Sequence, residues 1–298
     1  MFMNSDCESY ASYNSYQFSI YEYLISRIVP HIKEHDNILD VGSGDGKCTN
    51  LLYETLLTVH DNIEFKVNIL GIDLLSRMIE YAKERYCSHQ KSLEFANIDI
   101  TSKNAAENIL KATKGVVFDH VVSSCCFHWV GDQLKAFDNL LKIIKPEGGS
   151  INIILSDGIV ESLNYATERA LDNQELSPHL KKLKEYYDGL LLPWRRSWMM
   201  EPNPILAYKK ILIEAGYKED KITIEAIDEI KYSFQPSIEA AANFVQGFFP
   251  DVLADVDKSG LKEQFFKMFV ENILEYNERH YGDKLKMCFP LMYVRYSL

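Results

Sequence analysis

Residues 37–46 read Asn-Ile-Leu-Asp-Val-Gly-Ser-Gly-Asp-Gly, an apolar run that breaks into glycines at alternate positions. The run has the character of a strand buried on both faces. The glycines remove Cβ atoms where the backbone must turn with positive φ or let a nucleoside come close. Apolar residues return at helical spacing over 47–57, so this stretch is strand, glycine loop, helix.

Two cofactor classes use that unit. A dinucleotide fingerprint needs G-x-G-x-x-G, with its third glycine packing helix against strand. Here the spacing is G-x-G-x-G, and Lys47 stands where the third dinucleotide glycine would fall. A second apolar run, 67–73, ends in Asp73, the place where such folds offer a carboxylate to ribose hydroxyls. That acid alone does not discriminate, because both cofactors carry ribose.

The alternation continues. Residues 93–99 form a short strand ending in Ile98-Asp99, and 116–124 form a fourth after a helical segment. An amphipathic helix over 134–144, a turn at Lys145-Pro146-Glu147-Gly148-Gly149 and a fifth strand over 150–155 complete the first half. This is an α/β, doubly wound, Rossmann-like sheet. Its ligands bind at the carboxyl ends of the strands, where residues 42–46, Asp73, Asp99 and 123–129 all fall. The second half reads as helices over 158–187, 204–215 (stopped by Gly216), 237–248 and 259–280. Strands over 221–232 and near the C-terminus bring the sheet to seven.

Leu39-Asp40-Val41-Gly42-Ser43-Gly44-Asp45-Gly46, Gly71-Ile72-Asp73, Asn97-Ile98-Asp99, Phe118-Asp119 and Pro146-Glu147-Gly148-Gly149 together resemble the class I S-adenosylmethionine-dependent methyltransferases. The resemblance implies S-adenosyl-L-methionine as cofactor. It assigns Gly42, Gly44 and Gly46 to the methionyl part, Asp73 to the ribose, and Ile98 with Asp99 to the flanks of adenine. Leu74 beside Asp73, Ser123 at the end of the fourth strand and Asp40 under the loop join them by position. Asp40 could instead only hold the loop. Ser43 stands where the family often has cysteine or alanine.

Composition narrows the function classes. A chain of 298 residues, 47% hydrophobic, can bury a large core. The formal charge of -11 argues against nucleic acid, which needs a basic footprint. Cys7, Cys48, Cys87, Cys125, Cys126 and Cys288 form no C-x-x-C pair and no metal-ligand spacing with histidines, so no metal is expected. A reduced, cytoplasmic protein is expected, as monomer or homodimer. No apolar run reaches membrane-spanning length. The expected organisation is an N-terminal helical lid (1–36), a cofactor-binding core (37–156), and helical cap insertions with the final strands (157–298).

The acceptor of the methyl group must be set elsewhere. In the N-terminal segment Tyr10, Tyr13 and Gln17 share one face at helical spacing. After the fourth strand comes Cys125-Cys126-Phe127-His128-Trp129-Val130-Gly131-Asp132-Gln133. The Trp129 indole is a donor only and the Gln17 amide can donate, a pair suited to a carboxylate. These segments resemble the arthropod juvenile hormone acid O-methyltransferases, a likeness that extends to the terminal strand over 287–296. The family likeness implies that Gln17 and Trp129 orient a small-molecule acid such as farnesoic acid. His128 is either a base or a histidine satisfied structurally.

Other readings stand beside this one. Gln17 and Tyr13 could be surface residues, and Trp129 simple packing. Trp194, Trp198, Phe234, Phe244, Phe248 and Phe249 suit either an acyl pocket or a core, and Arg195 with Arg196 either a second carboxylate or solvent. Alternative functions are a small-molecule amine N-methyltransferase, a trans-aconitate-like methyltransferase, an inactive cofactor-binding relative and, opposed by Lys47, a nicotinamide dehydrogenase.

Overall fold

The computed structural model describes residues 7, 8, 11, 14–61, 65–87, 92–156, 159–186, 201–227, 254–282 and 291–298. Tyr10, Tyr13, Cys288, the aromatics singled out between 194 and 249, Arg195, Arg196 and the helix expected over 237–248 lie outside them. The chain divides into two compact units. One comprises Gln17–Leu155, Asn203–Ile227 and Leu291–Leu298; the other comprises Met1–Tyr16, Ser156–Pro202 and Asp228–Pro290.

The first unit holds the sheet. Strands β1 (Asn37–Val41), β2 (Asn68–Asp73), β3 (Leu93–Asn97), β4 (His120–Ser124), β5 (Ser150–Ser156), β6 (Ile222–Ile227) and β7 (Leu291–Ser297) lie in the order β3-β2-β1-β4-β5-β7-β6. β1 is parallel to β2 and to β4, β2 to β3, and β4 to β5, whereas β6 and β7 are antiparallel. Burial on both faces is why β1, β2 and β5 are rich in Ile, Leu and Val. The order reverses between β1 and β4, and that switch point opens a crevice at the strands' carboxyl ends.

Helices α1 (Ser15–Ile28), α2 (Lys47–Val59), α3 (Ser76–Ala82), α4 (Ala105–Ala112) and α5 (Gln133–Leu141) precede β5 in the chain. α1 buries Ile20, Tyr21, Leu24 and Ile28 at helical spacing. Between β6, β7 and the rest comes α8 (Pro204–Glu214), started by Asn203, whose Oδ1 accepts the Leu206 N–H at 3.0 Å, and by Pro204 in its first turn. Tyr208 of α8 is fully buried with its ring edge-on to Phe137 of α5.

The second unit is helical in its described part. It contains α6 (Ile159–Asp172), α7 (Lys181–Tyr186), α9 (Ala254–Ser259) and α10 (Lys262–Tyr281), with α6 and α10 packed together. Phe265, Phe266, Phe269 and Ile273 of α10 are buried in its core. No described helix is long and apolar enough to cross a membrane.

Candidate active site

The loop after β1 is shaped by contacts on both sides. Gly42 has φ +80°, and a Cβ there would overlap the Cβ and Sγ of Cys126, so β1 and β4 deliver their loops into mutual contact. Gly46 (φ +79°) precedes α2 under Ala82 and Phe95, which leave no room for a side chain. Gly44 lies between them at φ +55°. The Gly42 and Ser43 N–H groups donate to the Ile72 carbonyl at 2.8 and 3.0 Å, tying the loop to β2. On the β4 side Cys125, which is not glycine, holds φ +55°, a conformation that neighbouring structure must impose.

Three acids gather under this loop. Asp40 is buried, and its Oδ2 accepts from the hydroxyls of Thr49 (2.7 Å) and Tyr21 (3.0 Å). Burial raises its pKa to about 6, against the lowering effect of those two hydroxyls, and the charge of Asp73 adds to the rise. Asp73 Oδ2 accepts the Gly44 N–H at 3.0 Å and Oδ1 the Leu75 N–H at 2.8 Å. Burial raises the Asp73 pKa, and these backbone donors only partly offset it. Asp45 is buried as well, with Oδ1 accepting the Lys47 N–H at 3.2 Å.

The end of β3 is fastened to the end of β2. Asn97 Nδ2 donates to the carbonyls of Asp73 (2.9 Å) and Leu74 (2.8 Å), and the Ile98 N–H donates to Asp73 at 3.0 Å. Asp73, Leu74 and Ile98 are therefore brought together. Ile98 is buried, whereas Leu74 presents an apolar side chain 49% exposed. Asp99 Oδ1 accepts from both the N–H and the hydroxyl of Thr101, at 2.8 and 2.7 Å, which shapes its own turn. Ser123 is wholly buried and donates to the Val41 carbonyl at 2.7 Å, a brace between β4 and β1.

This arrangement suits a cationic nucleoside. A carboxylate offers about four acceptor positions, so Asp73 can take hydroxyl donors beyond its two backbone bonds. Three carboxylates around one loop attract a sulfonium and an ammonium group, and would repel a pyrophosphate. The residues present thus fit S-adenosylmethionine better than a dinucleotide.

The segment after β4 is a single tight turn, Phe127–Trp129, held from behind. Gln133 Nε2 donates to the Phe127 carbonyl at 2.9 Å, and Asp132 Oδ1 accepts the Lys135 N–H at 2.9 Å to cap α5. Phe127, His128 and Val130 are buried, which leaves Trp129 as the large apolar side chain of the segment that stays partly exposed. Burial pushes the His128 pKa down to about 3, so its ring is neutral near pH 7 and a weak base. The rings of His128 and Trp129 lie 5.4 Å apart.

Gln17 sits half-buried in the first turn of α1, one turn ahead of Tyr21, on the stripe that delivers the Tyr21 hydroxyl to Asp40. Next to it, the Phe18 ring lies 4.9 Å from Lys47 Nζ at the start of α2. The N-terminal helix is thereby fixed beside the glycine loop. No hydrogen bond joins Gln17 to Trp129 among the described residues. Tyr21 and Thr49 were not marked by the sequence, and Cys126 only as a member of the segment after the fourth strand.

A family model described as a methyltransferase domain matches residues 32–216. Juvenile hormone acid O-methyltransferase of Drosophila melanogaster is 32% identical over 247 residues, 81% of this chain and 72% of the relative. The Bombyx mori enzyme of the same name is 28% identical over 192 residues, 64% of this chain and 60% of the relative. Among solved structures, phosphoethanolamine N-methyltransferase 2 of Haemonchus contortus in complex with S-adenosyl-L-methionine shares the fold. Its TM-score is 0.50 at 16% identity, and the match covers 93% of this chain and 51% of that one.

Proposed function

The chain belongs to the S-adenosylmethionine-dependent methyltransferases, and from that premise we propose that it methylates the carboxylate of an apolar small-molecule acid to give a methyl ester. When bound, S-adenosylmethionine supplies a methyl group activated by its sulfonium. Gly42, Gly44, Gly46, Asp73, Leu74, Ile98 and Asp99 hold the cofactor, with Asp40 and Ser123 bracing the loop beneath it. Gln17 and Trp129 donate hydrogen bonds to the acceptor carboxylate.

The observation that carries this reading is the partly exposed Trp129, set on the turn after β4 beside the glycine loop and next to a histidine that burial makes a weak base. A carboxylic acid is already ionised near pH 7, so positioning and exclusion of water suffice. Positioning alone contributes up to about 7–11 kcal/mol in favourable intramolecular cases. An amine or phenol acceptor would instead call for a base, and His128 is poorly suited to that work. The name shared by the two insect relatives supports the same acceptor class. The protein acts in the cytoplasm, as monomer or homodimer.

The test is transfer of radiolabelled methyl to a panel containing a farnesoid acid, a fatty acid, trans-aconitate, histamine and phosphoethanolamine. Label in an ester of an apolar acid supports the reading. Label only in an amine product overturns it.

A further inference from the structure

Asp40 differs from the other acids around the glycine loop in what it bonds. Asp73 accepts the N–H groups of Gly44 and Leu75, and Asp45 that of Lys47, all of them backbone donors. Among the described residues, Asp40 instead accepts from two side-chain hydroxyls, both at Oδ2. Thr49 reaches it from α2 at 2.7 Å and Tyr21 from α1 at 3.0 Å. All three residues are buried, and Asp40 stands just before Gly42 in the chain.

The kind of donor matters. A backbone N–H can only donate, so it opposes protonation of the acid that it holds. A hydroxyl donates to a carboxylate and can turn to accept from a carboxylic acid. Asp40 is thus the acid of this loop whose partners fit both of its protonation states. Burial sets the change at about 6, with the Thr49 and Tyr21 hydroxyls favouring the ionised form and the charge of Asp73 opposing it. The other titratable groups coupled to it are the Tyr21 phenol on α1, the Cys48 thiol on α2 and the Cys126 thiol after β4. All three are pushed above their ordinary values and stay neutral below pH 7. Lys47, the cation that starts α2, sets its Nζ 4.9 Å from the Phe18 ring.

S-adenosylmethionine carries a sulfonium charge that S-adenosylhomocysteine has lost, and the two otherwise share nucleoside, ammonium and carboxylate. With the methionyl part on the glycine loop, that charge favours the ionised form of a poorly screened acid beneath it. The effect is reciprocal, so ionisation of Asp40 favours the sulfonium over the neutral thioether.

We propose that Asp40 distinguishes S-adenosylmethionine from its demethylated product by charge, and that Tyr21 is the positioning residue that holds the carboxylate ready for the sulfonium. The inference rests on the cofactor and not on the acceptor acid proposed above, so its test contains no acceptor.

The test is calorimetric titration of the full chain with each of the two nucleosides, from about pH 5 to about pH 7.5. In the wild type the preference for S-adenosylmethionine should rise by about tenfold across this range, which corresponds to one unit of pKa lowered by the sulfonium. In Asp40→Asn the preference should not change with pH. In Tyr21→Phe the rise should persist with its midpoint at higher pH, because a donor to the ionised form is lost. A preference independent of pH in the wild type would overturn the inference. So would a rise that survives in Asp40→Asn, which would assign it to Asp73. Equal weakening of both nucleosides in Tyr21→Phe, with the midpoint in place, would reduce Tyr21 to a structural residue and overturn its part. If Tyr21→Phe fails to fold, Thr49→Val serves in the same comparison, since it removes the other donor.

Discussion

Asp40 shows how one buried charge can serve a site at a cost in stability. Its pKa of about 6 exceeds the usual value of 3.8, chiefly through burial. The folded state therefore binds a proton more readily than the unfolded chain does. Stability from this group rises as pH falls through 6 towards 3.8, and the ionised form above pH 6 is the costly one. Measured as the difference in unfolding free energy between wild type and Asp40→Asn, the wild type should gain about 1.4 kcal/mol from pH 7 to pH 5, one pKa unit's worth. A flat difference would show that Asp40 is not so perturbed. Asp73 takes the other role. Asp73→Ala should weaken binding of S-adenosylhomocysteine by about 1–3 kcal/mol through lost hydroxyl acceptors, measured by calorimetric titration. Unchanged affinity would remove Asp73 from the ribose. Replacing Gln17 by Ala or Trp129 by Phe should cut ester formation while leaving that titration nearly unaltered. Equal loss of both would mean that the residues support folding.

At the scale of elements, the crevice depends on how closely two loops approach. Gly42 and Cys126 leave no space for another methyl, so Gly42→Ala forces β1 and β4 apart and adds strain at φ +80°. It should lower the unfolding temperature and abolish cofactor binding. Adding Cys126→Gly, which clears the overlapping atoms, should recover part of the stability; no recovery would mean that backbone strain alone is responsible. The strands themselves were legible in the sequence, because a doubly buried parallel strand must be an apolar run and its end must turn at glycine or acid. α2 and α8 were legible too, the second through its proline start and glycine stop. The partners of Asp40 were not. Tyr21 and Thr49 reach it from different helices, and a hydrogen bond across 19 residues leaves no local pattern. Nor could spacing reveal that Asp132 and Gln133 work as a cap and a brace, while Trp129 is the large apolar side chain of the segment that stays partly exposed. The sequence marked the carboxyl ends of the strands; the packing divides their residues into those that hold the loops and those that face outward.

Across the whole molecule, an excess of acidic groups meets a ligand class of the opposite sign. The net charge of -11 and the acids Asp40, Asp45 and Asp73 around one loop favour a cationic nucleoside over an anionic one, since buried carboxylates are poorly screened. That field discriminates between the two cofactors that strand, glycine loop and helix can bind. Anything that binds only the native state stabilises it in proportion to the logarithm of its excess over Kd. S-adenosylmethionine at about 100 times its Kd should add roughly 2.7 kcal/mol. For a chain of this size that is a rise on the order of 5 °C in the unfolding temperature. NAD at the same concentration should leave the transition where it was, because its pyrophosphate faces the three acids and finds Lys47 in place of the third glycine. Differential scanning fluorimetry of the full chain with each ligand distinguishes them. A shift with NAD equal to that with S-adenosylmethionine would mean that loop geometry, not charge, selects the cofactor.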